Sequence, residues 1–182
     1  MVFLMETKLR KNKMAPIQQK MGFKNMLVVD CIGKSGGLAL LWKEEAGVEI
    51  QNYNLHHINA VVTPENLTPW VFTSFYEHPE SHKRCEAWNL LCHLKLLITE
   101  PWLCAGDFNE ILDQSEKVGG RRRPQFLMEN FRNTLELCGL HELDYKGPLF
   151  TWDNGKEGDD FIKERLDRVF ANHAWHAYHT KA

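Results

Sequence analysis

The sequence predicts a layered α/β or α+β domain, and three observations carry that expectation. Short apolar runs of strand length dominate the chain, Gly, Pro and Asn punctuate them, and two amphipathic segments of helical period stand between groups of runs. Two stacked sheets with helices on their outer faces satisfy this pattern.

In chain order, the strand-like runs cover residues 2–5, 26–31, 38–42, 48–53, 58–63, 70–76 and 102–105. The first helix is expected over 79–97, with Cys85, Trp88, Cys92 and Leu96 near helical spacing on one face. The second is expected over 124–138, with Leu127, Phe131, Leu135 and Cys138 on one stripe. Each opens on a proline, which suits a first turn, and Gly139 follows the second as a C-cap. Residues 142–145 and 149–152 read as two further strands around the turn Lys146-Gly147-Pro148. The sequence shows no repeat, low-complexity tract or dividing linker, so one domain over 1–182 is expected.

Apolar residues make up 43% of the chain and charged residues 25%, which is ordinary for a globular protein, and six Trp and ten Phe supply bulky core filling. A net charge of −2 excludes a histone-like, wholly basic nucleic-acid binder. It leaves a nuclease open, because a divalent cation can supply local positive charge. The five cysteines, Cys31, Cys85, Cys92, Cys104 and Cys138, include no Cys-x-x-Cys pair and mostly lie in apolar runs, as buried free thiols would. The apolar start, residues 1–5, is too short for a signal peptide and meets Glu6 and Lys8 at once. No run reaches membrane-spanning length, so an intracellular chain with no membrane partner is expected.

Four segments carry side chains suited to phosphate chemistry. In Trp102-Leu103-Cys104-Ala105-Gly106-Asp107-Phe108-Asn109-Glu110, an apolar strand delivers Asp107 and Asn109 two residues apart. Strand alternation would place both on one side, where they can converge on one phosphate or metal; an Asp/Asn turn is the plainer alternative. Phe3-Leu4-Met5-Glu6-Thr7-Lys8 ends an apolar strand on an acid that could give one oxygen to a hard cation or simply be solvated. Tyr76, at a strand end before a helix, could donate to a phosphate oxygen or fill the core rim. Glu164-Arg165-Leu166-Asp167-Arg168-Val169 is either a charge-rich strand or helix start, or a strand aiming Asp167 into a site.

Taken together and in this order, these segments resemble the endonuclease/exonuclease/phosphatase superfamily, and more closely the endonuclease domain of plant non-LTR retrotransposons. The likeness extends to Ser35-Gly36-Gly37-Leu38-Ala39-Leu40-Leu41-Trp42-Lys43, to residues 115–120, to Gly147-Pro148-Leu149-Phe150-Thr151-Trp152 and to Phe161-Ile162-Lys163 before Glu164. The resemblance implies a four-layered α/β sandwich of two packed, mostly antiparallel sheets flanked by helices. It also implies hydrolysis of DNA phosphodiesters with Mg²⁺ or Mn²⁺, no nucleotide cofactor, a monomer, and a nuclear location for a working enzyme. By the same resemblance Glu6 is the metal ligand, Asp107 orients or deprotonates the attacking water, Asn109 holds the scissile phosphate, Tyr76 contacts phosphate or the leaving oxygen, and Asp167 matches the acid that orients a histidine. The family pattern also has a leading strand bearing an Asn and a closing Ser-Asp-His strand. Neither is seen in this sequence, which raises the expectation of a site incomplete at both ends and of impaired activity, with a non-catalytic nucleic-acid binder, an apurinic-site nuclease or a phosphatase as alternatives.

Other signals carry less. Gly33-Lys34-Ser35 lacks the earlier glycine and following helix of a nucleotide-binding loop. Arg121, Arg122 and Arg123, with Lys117, form a basic loop that could touch a DNA backbone or remain solvated, and Lys8, Arg10, Lys11, Lys13 and Lys20 invite the same two readings. His56-His57 has no evident ligand partner. His173, His176 and His179 read as a polar helical tail.

Overall fold

The computed structural model describes residues 1–33, 35–77 and 84–179, with the side chains of Cys85, Glu86 and His179 also left outside the description. Three sheets are present. The first has the order β1-β3-β2, from β1 (Val2–Leu4), β2 (Asn25–Val29) and β3 (Leu38–Trp42), all antiparallel. The second has the order β4-β5-β6-β7-β12-β9, from β4 (Val48–Tyr53), β5 (His57–Val62), β6 (Trp70–Tyr76), β7 (Trp102–Asp107), β9 (Leu140–Glu142) and β12 (Asp167–Asn172). Only β6 and β7 run parallel in it, and α2 (Arg84–Leu97) lies in their crossover, as a parallel pair requires. The third is a small sheet, β10-β11-β8, from β8 (Lys117–Val118), β10 (Trp152–Asp153) and β11 (Lys163–Glu164).

The layers follow from side-chain alternation. Along β3, Leu38 and Leu40 point toward the six-stranded sheet and pack with Ile58, Ala60, Val62, Phe72 and Tyr76. Ala39 and Leu41 point the other way and meet Met14 of α1 (Lys11–Lys20). The far face of the six-stranded sheet, through Phe75, Trp102, Cys104 and Phe170, packs on Trp88, Leu91 and Leu94 of α2 and on Leu127, Phe131 and Leu135 of α3 (Gln125–Cys138). The result is helix, sheet, sheet, helix: the four-layered sandwich. Phe75, Phe108, Phe131 and Phe170 interlock between the six-stranded sheet and its helices, with centroids 4.9–6.0 Å apart along the Phe75–Phe108–Phe170–Phe131 chain of contacts. Full burial of each such ring contributes roughly 1.5–3 kcal/mol.

Gly106 sits where β6 and β7 come closest. Its φ is 151°, and an added Cβ would lie 1.7 Å from the Phe75 carbonyl oxygen. Any side chain there would separate the two strands that carry Tyr76 and Asp107.

Several expectations are corrected. Helix α1 is absent from the sequence reading, because only Met14 in it is fully buried and Pro16 interrupts it. On α2 the buried stripe is Trp88, Leu91 and Leu94, continued by Ile98, whereas Leu96 is 81% exposed. The expected start of that helix, at Pro79, lies outside the described residues. Pro124 is the N-cap of α3 rather than its first turn, while Gly139 closes the helix in the left-handed region, φ 64°. The segment after α3 pairs as β9 at 140–142, not at 142–145, and 149–152 contributes only Trp152 to a strand.

Candidate active site

One end of the sandwich gathers the predicted residues. In the strand register Tyr76 lies opposite Asp107 across β6 and β7, and Asp107 lies opposite Asp167 across β7 and β12. Three polar side chains therefore stand abreast on neighbouring strands. Glu6 comes from the other sheet: it follows β1, and its Oε1 accepts a hydrogen bond from the Tyr76 phenol at 2.7 Å. Glu6 is held in the left-handed region at φ 49°, as is Lys8 at φ 52°. Such residues cost about 1–3 kcal/mol each and persist where neighbours fix them. Here Thr7 and Lys8 donate their N–H groups to Gly37 and Gly36 at 3.1 and 3.0 Å.

Asp107 and Asn109 do converge, by a turn rather than by strand alternation. The strand ends at Asp107, and Asn109 takes φ 48°, a conformation Asn tolerates better than most residues. The Asn109 N–H donates to Asp107 Oδ1 at 2.8 Å, and its Nδ2 donates to Asp107 Oδ2 at 3.0 Å and to the Glu77 carbonyl at 2.9 Å. Asn109 thus fixes the carboxylate of Asp107, and both of its amide hydrogens are engaged. A direct hold on phosphate would require one of these bonds to exchange.

The electrostatics are those of crowded acids. The Asp107 carboxyl is pushed up to about 7, by burial first and then by the charges of Asp167 and Glu6, against the Asn109 N–H and Arg84, which pull it down. Asp167 is also raised, by burial first and by Glu6, against the Thr151 hydroxyl. The Tyr76 phenol is raised well above its ordinary value by burial and then by Glu6, so it stays a donor.

A cavity of about 300 Å³ opens at this end, lined by Glu6, Tyr76, Asp107, Asn109, Arg84, Arg123, Glu164, Leu166 and Trp152. Asp167 borders a neighbouring cavity of about 270 Å³, with Phe3, Met5 and Tyr145 among its walls.

The basic loop divides. Arg121 and Arg122 are exposed, whereas Arg123 turns inward to Glu110 at 2.9 Å and Glu164 at 2.7 Å. Glu110, fully buried, also holds Arg84 at 2.7 Å, and Glu164 pairs with Lys117. The charge-rich segment is explained in the same way. Arg165 and Arg168 reach Glu142 at 2.7 and 2.8 Å, and Arg168 also reaches Glu116. Among the described residues Asp167 has no ion pair; its N–H donates to the Thr151 hydroxyl at 3.0 Å.

Sequence reasoning missed three features. Glu77 is 0% exposed, bonded to Trp88 Nε1 at 3.2 Å, and pushed up to about 9 by burial. Its signal was its position directly after Tyr76. The Arg84–Glu110–Arg123 chain had a signal in Glu110, which sits within the Gly-Asp-Phe-Asn-Glu run. Trp152 stands 45% exposed at the cavity rim.

With this geometry in view, comparison with known proteins is decisive. The sequence profile of the Endonuclease/Exonuclease/phosphatase family matches residues 1–182. The chain belongs to the endonuclease/exonuclease/phosphatase family. Its fold is similar to the endonuclease domain of TRAS1, a telomere-specific non-LTR retrotransposon, at 14% identity and TM-score 0.64, covering 95% of this chain and 86% of that one. It is likewise similar to an AP endonuclease from Archaeoglobus fulgidus, at 16% identity and TM-score 0.67, covering 93% and 75%. A truncated form of TDP2 from Caenorhabditis elegans aligns at 18% identity and TM-score 0.56, covering 93% and 70%. No curated protein matches the sequence.

Family nucleases generally use divalent metals, and the donor set here suits one. Glu6, Asp107 and Asp167 are hard oxygen donors, and the charges of Glu6 and Asp167 raise Asp107 while that of Glu6 raises Asp167. Among the described residues no three acidic, histidine or cysteine side chains form an enclosing cluster.

Proposed function

We propose that this endonuclease/exonuclease/phosphatase family chain is a Mg²⁺-dependent DNA endonuclease, hydrolysing phosphodiesters in the Glu6–Tyr76–Asp107 cavity. The observation that carries the reading is the alignment of Tyr76, Asp107 and Asp167 on three adjacent strands, with Glu6 tied to Tyr76 from the opposite sheet. Glu6 is the residue that would hold the cation, with Mn²⁺ able to replace Mg²⁺. When bound, the cation supplies Lewis acidity toward the phosphate oxygens.

The chain's own groups account for the rest. Asp107 Oδ takes the proton of the attacking water; a carboxyl near 7 is suited to that transfer at neutral pH. Asn109 keeps Asp107 in one orientation. The Tyr76 hydroxyl, held as a donor, is placed to hydrogen-bond a phosphate or leaving oxygen once Glu6 releases it. Asp167 adds negative charge beside Asp107 and keeps its proton affinity high. Among the lining groups proton transfer falls on Asp107, with Tyr76 as a hydrogen-bond donor, and the turnover proposed is slow. A DNA substrate would place its action in the nucleus, and a monomer is proposed with it.

Hydrolysis of bis(p-nitrophenyl) phosphate against p-nitrophenyl phosphate, each with Mg²⁺ and with EDTA, tests the reaction class. Metal-dependent cleavage of the diester with little of the monoester is expected. Preference for the monoester would make the chain a phosphatase, and no metal-dependent cleavage of either would leave a non-catalytic nucleic-acid binder.

A further inference from the structure

The charge on this chain is unevenly placed. Residues 7–29 hold six basic side chains and no Asp or Glu, a charge of +6, while the remaining 16 basic and 24 acidic side chains give −8. Lys24 is paired with Glu44 at 2.9 Å. The other five, Lys8, Arg10, Lys11, Lys13 and Lys20, are exposed and form no ion pair among the described residues.

The fold does not need these cations. Helix α1 is anchored by Met14, with Ile17 beside it, against Leu4, Ala39 and Leu41. Arg10, Lys11 and Lys13 cluster at its N-terminal end, where the helix's own first turn has no acid and the Asp30 carboxylate accepts from the Lys11 N–H at 2.7 Å. Positive charge there opposes the helix dipole and costs a few tenths of a kcal/mol or more for each residue. Asp30 offsets one of these three cations, and an anionic partner would offset the others.

The cations are also fixed relative to the cavity. Glu6 lines it, and the segment that follows is bound by the Thr7 and Lys8 N–H bonds to Gly37 and Gly36 and by the Cys31 N–H to the Leu9 carbonyl at 3.3 Å. Gly37 admits no side chain, since a Cβ would lie 2.5 Å from Thr7 Oγ1. The Cα atoms of Lys8 and Arg10 therefore lie within roughly 7 and 14 Å of that of Glu6. Lys13 and Lys20, seven residues apart, share one stripe of α1. A helix of this length spans about 15 Å, the reach of about four phosphates on one DNA strand.

We infer that Lys8, Arg10 and the exposed face of α1 form a phosphate-contacting track that holds the DNA backbone on one side of the cleavage cavity without reading its sequence. This rests on the DNA-hydrolase reading above. A track of this kind supplies non-specific, salt-dependent affinity and orientation, and it explains how a chain of net charge −2 can engage a polyanion.

The test is fluorescence anisotropy of a labelled 20-base-pair duplex in EDTA across a salt series, so that no cleavage occurs. Three proteins are compared: the wild type, Lys11→Gln/Lys13→Gln/Lys20→Gln, and a control, Lys43→Gln/Lys146→Gln/Lys156→Gln, which removes as many exposed lysines elsewhere. Unchanged thermal melting verifies that the first triple variant folds. The helix variant should weaken binding and flatten the slope of log K against log salt by up to about 2.7, near 0.9 for each lost phosphate contact, with the control close to wild type. Equal loss in both variants, or loss in neither, overturns the track. Tighter binding of phosphatidylserine vesicles than of DNA at matched phosphate, abolished in the helix variant, would also overturn it by assigning the surface to a membrane. Helix-dependent binding without Mg²⁺-dependent nicking would keep the track and remove the nuclease, whereas nicking by a helix variant with wild-type salt dependence would do the reverse.

Discussion

The Tyr76 phenol donates to Glu6 Oε1 at 2.7 Å across 70 residues of sequence, joining the six-stranded sheet to the three-stranded one at the cavity. Tyr76 is otherwise enclosed by the inter-sheet core, so its position is set by packing and Glu6 is set by Tyr76. Tyr76→Phe keeps the packing and removes the donor. A stability loss of about 1 kcal/mol is expected, the net worth of one such bond, with a larger drop in phosphodiester hydrolysis. Unchanged hydrolysis in a folded Tyr76→Phe protein would remove Tyr76 from the site.

The crowded acids predict an inverted pH profile of stability without metal. Asp107 is raised from 3.8 to about 7 and Glu77 from 4.5 to about 9, both by burial first. The folded state therefore holds protons that the unfolded chain has released. The contribution of these two acids to stability should fall from about pH 4 upward, up to pH 7 through both groups and on toward 9 through Glu77 alone. Asp107→Asn should flatten the lower part of the fall, and Glu77→Gln should remove the part above pH 7. Thermal melts in EDTA from pH 5 to 9 measure this, and a stability that rises across that range would contradict it.

A cation that binds the folded chain must stabilise it. Mg²⁺ at a hundredfold excess over its dissociation constant should add about 2.7 kcal/mol, seen as a rise in Tm, and Glu6→Gln should reduce that rise. An identical Mg²⁺-induced shift in the variant would place the cation elsewhere.

Glu110 joins Arg84 and Arg123 under the cavity floor. Glu110→Ala would remove the buried acid that Arg84 and Arg123 share, leaving Arg123 its bond to Glu164, and about 3–5 kcal/mol of stability should be lost. For a chain of this size that corresponds to a Tm drop of roughly 6–20 °C. A drop of a degree or two would show the network to be peripheral.

How much of this could be read from the sequence differs by element, for physical reasons. The strands over 38–42, 48–53 and 70–76 have the bounds that their apolar runs indicate; burial fixes nearly every residue of the first and third, while 48–53 is an edge strand that buries none fully. Helix α1 hides because one buried Met and an interior Pro leave no periodic stripe. The gathering of Glu6, Tyr76, Asp107 and Asp167 is long-range, and no local pattern encodes it; the order of motifs along the chain, through family resemblance, suggested it. The roles of Glu77 and Glu110 stayed hidden because an acid in a sequence gives no sign of whether it will be solvated, buried neutral or paired. Arg123 shows the same limit: in a run of three arginines, nothing local marks the one that turns inward.

Asp107 is the residue on which the account depends, since it is opposite Tyr76 on one side, opposite Asp167 on the other, and fixed by Asn109. The most direct measurement is nicking of supercoiled plasmid by the full chain and by its Asp107→Ala variant, each with Mg²⁺ and with EDTA. The expected result is slow, Mg²⁺-dependent nicking that falls about a hundredfold or more in the variant, the scale of a lost general base. Nicking of equal rate in both proteins, or nicking by wild type that persists in EDTA, would contradict it.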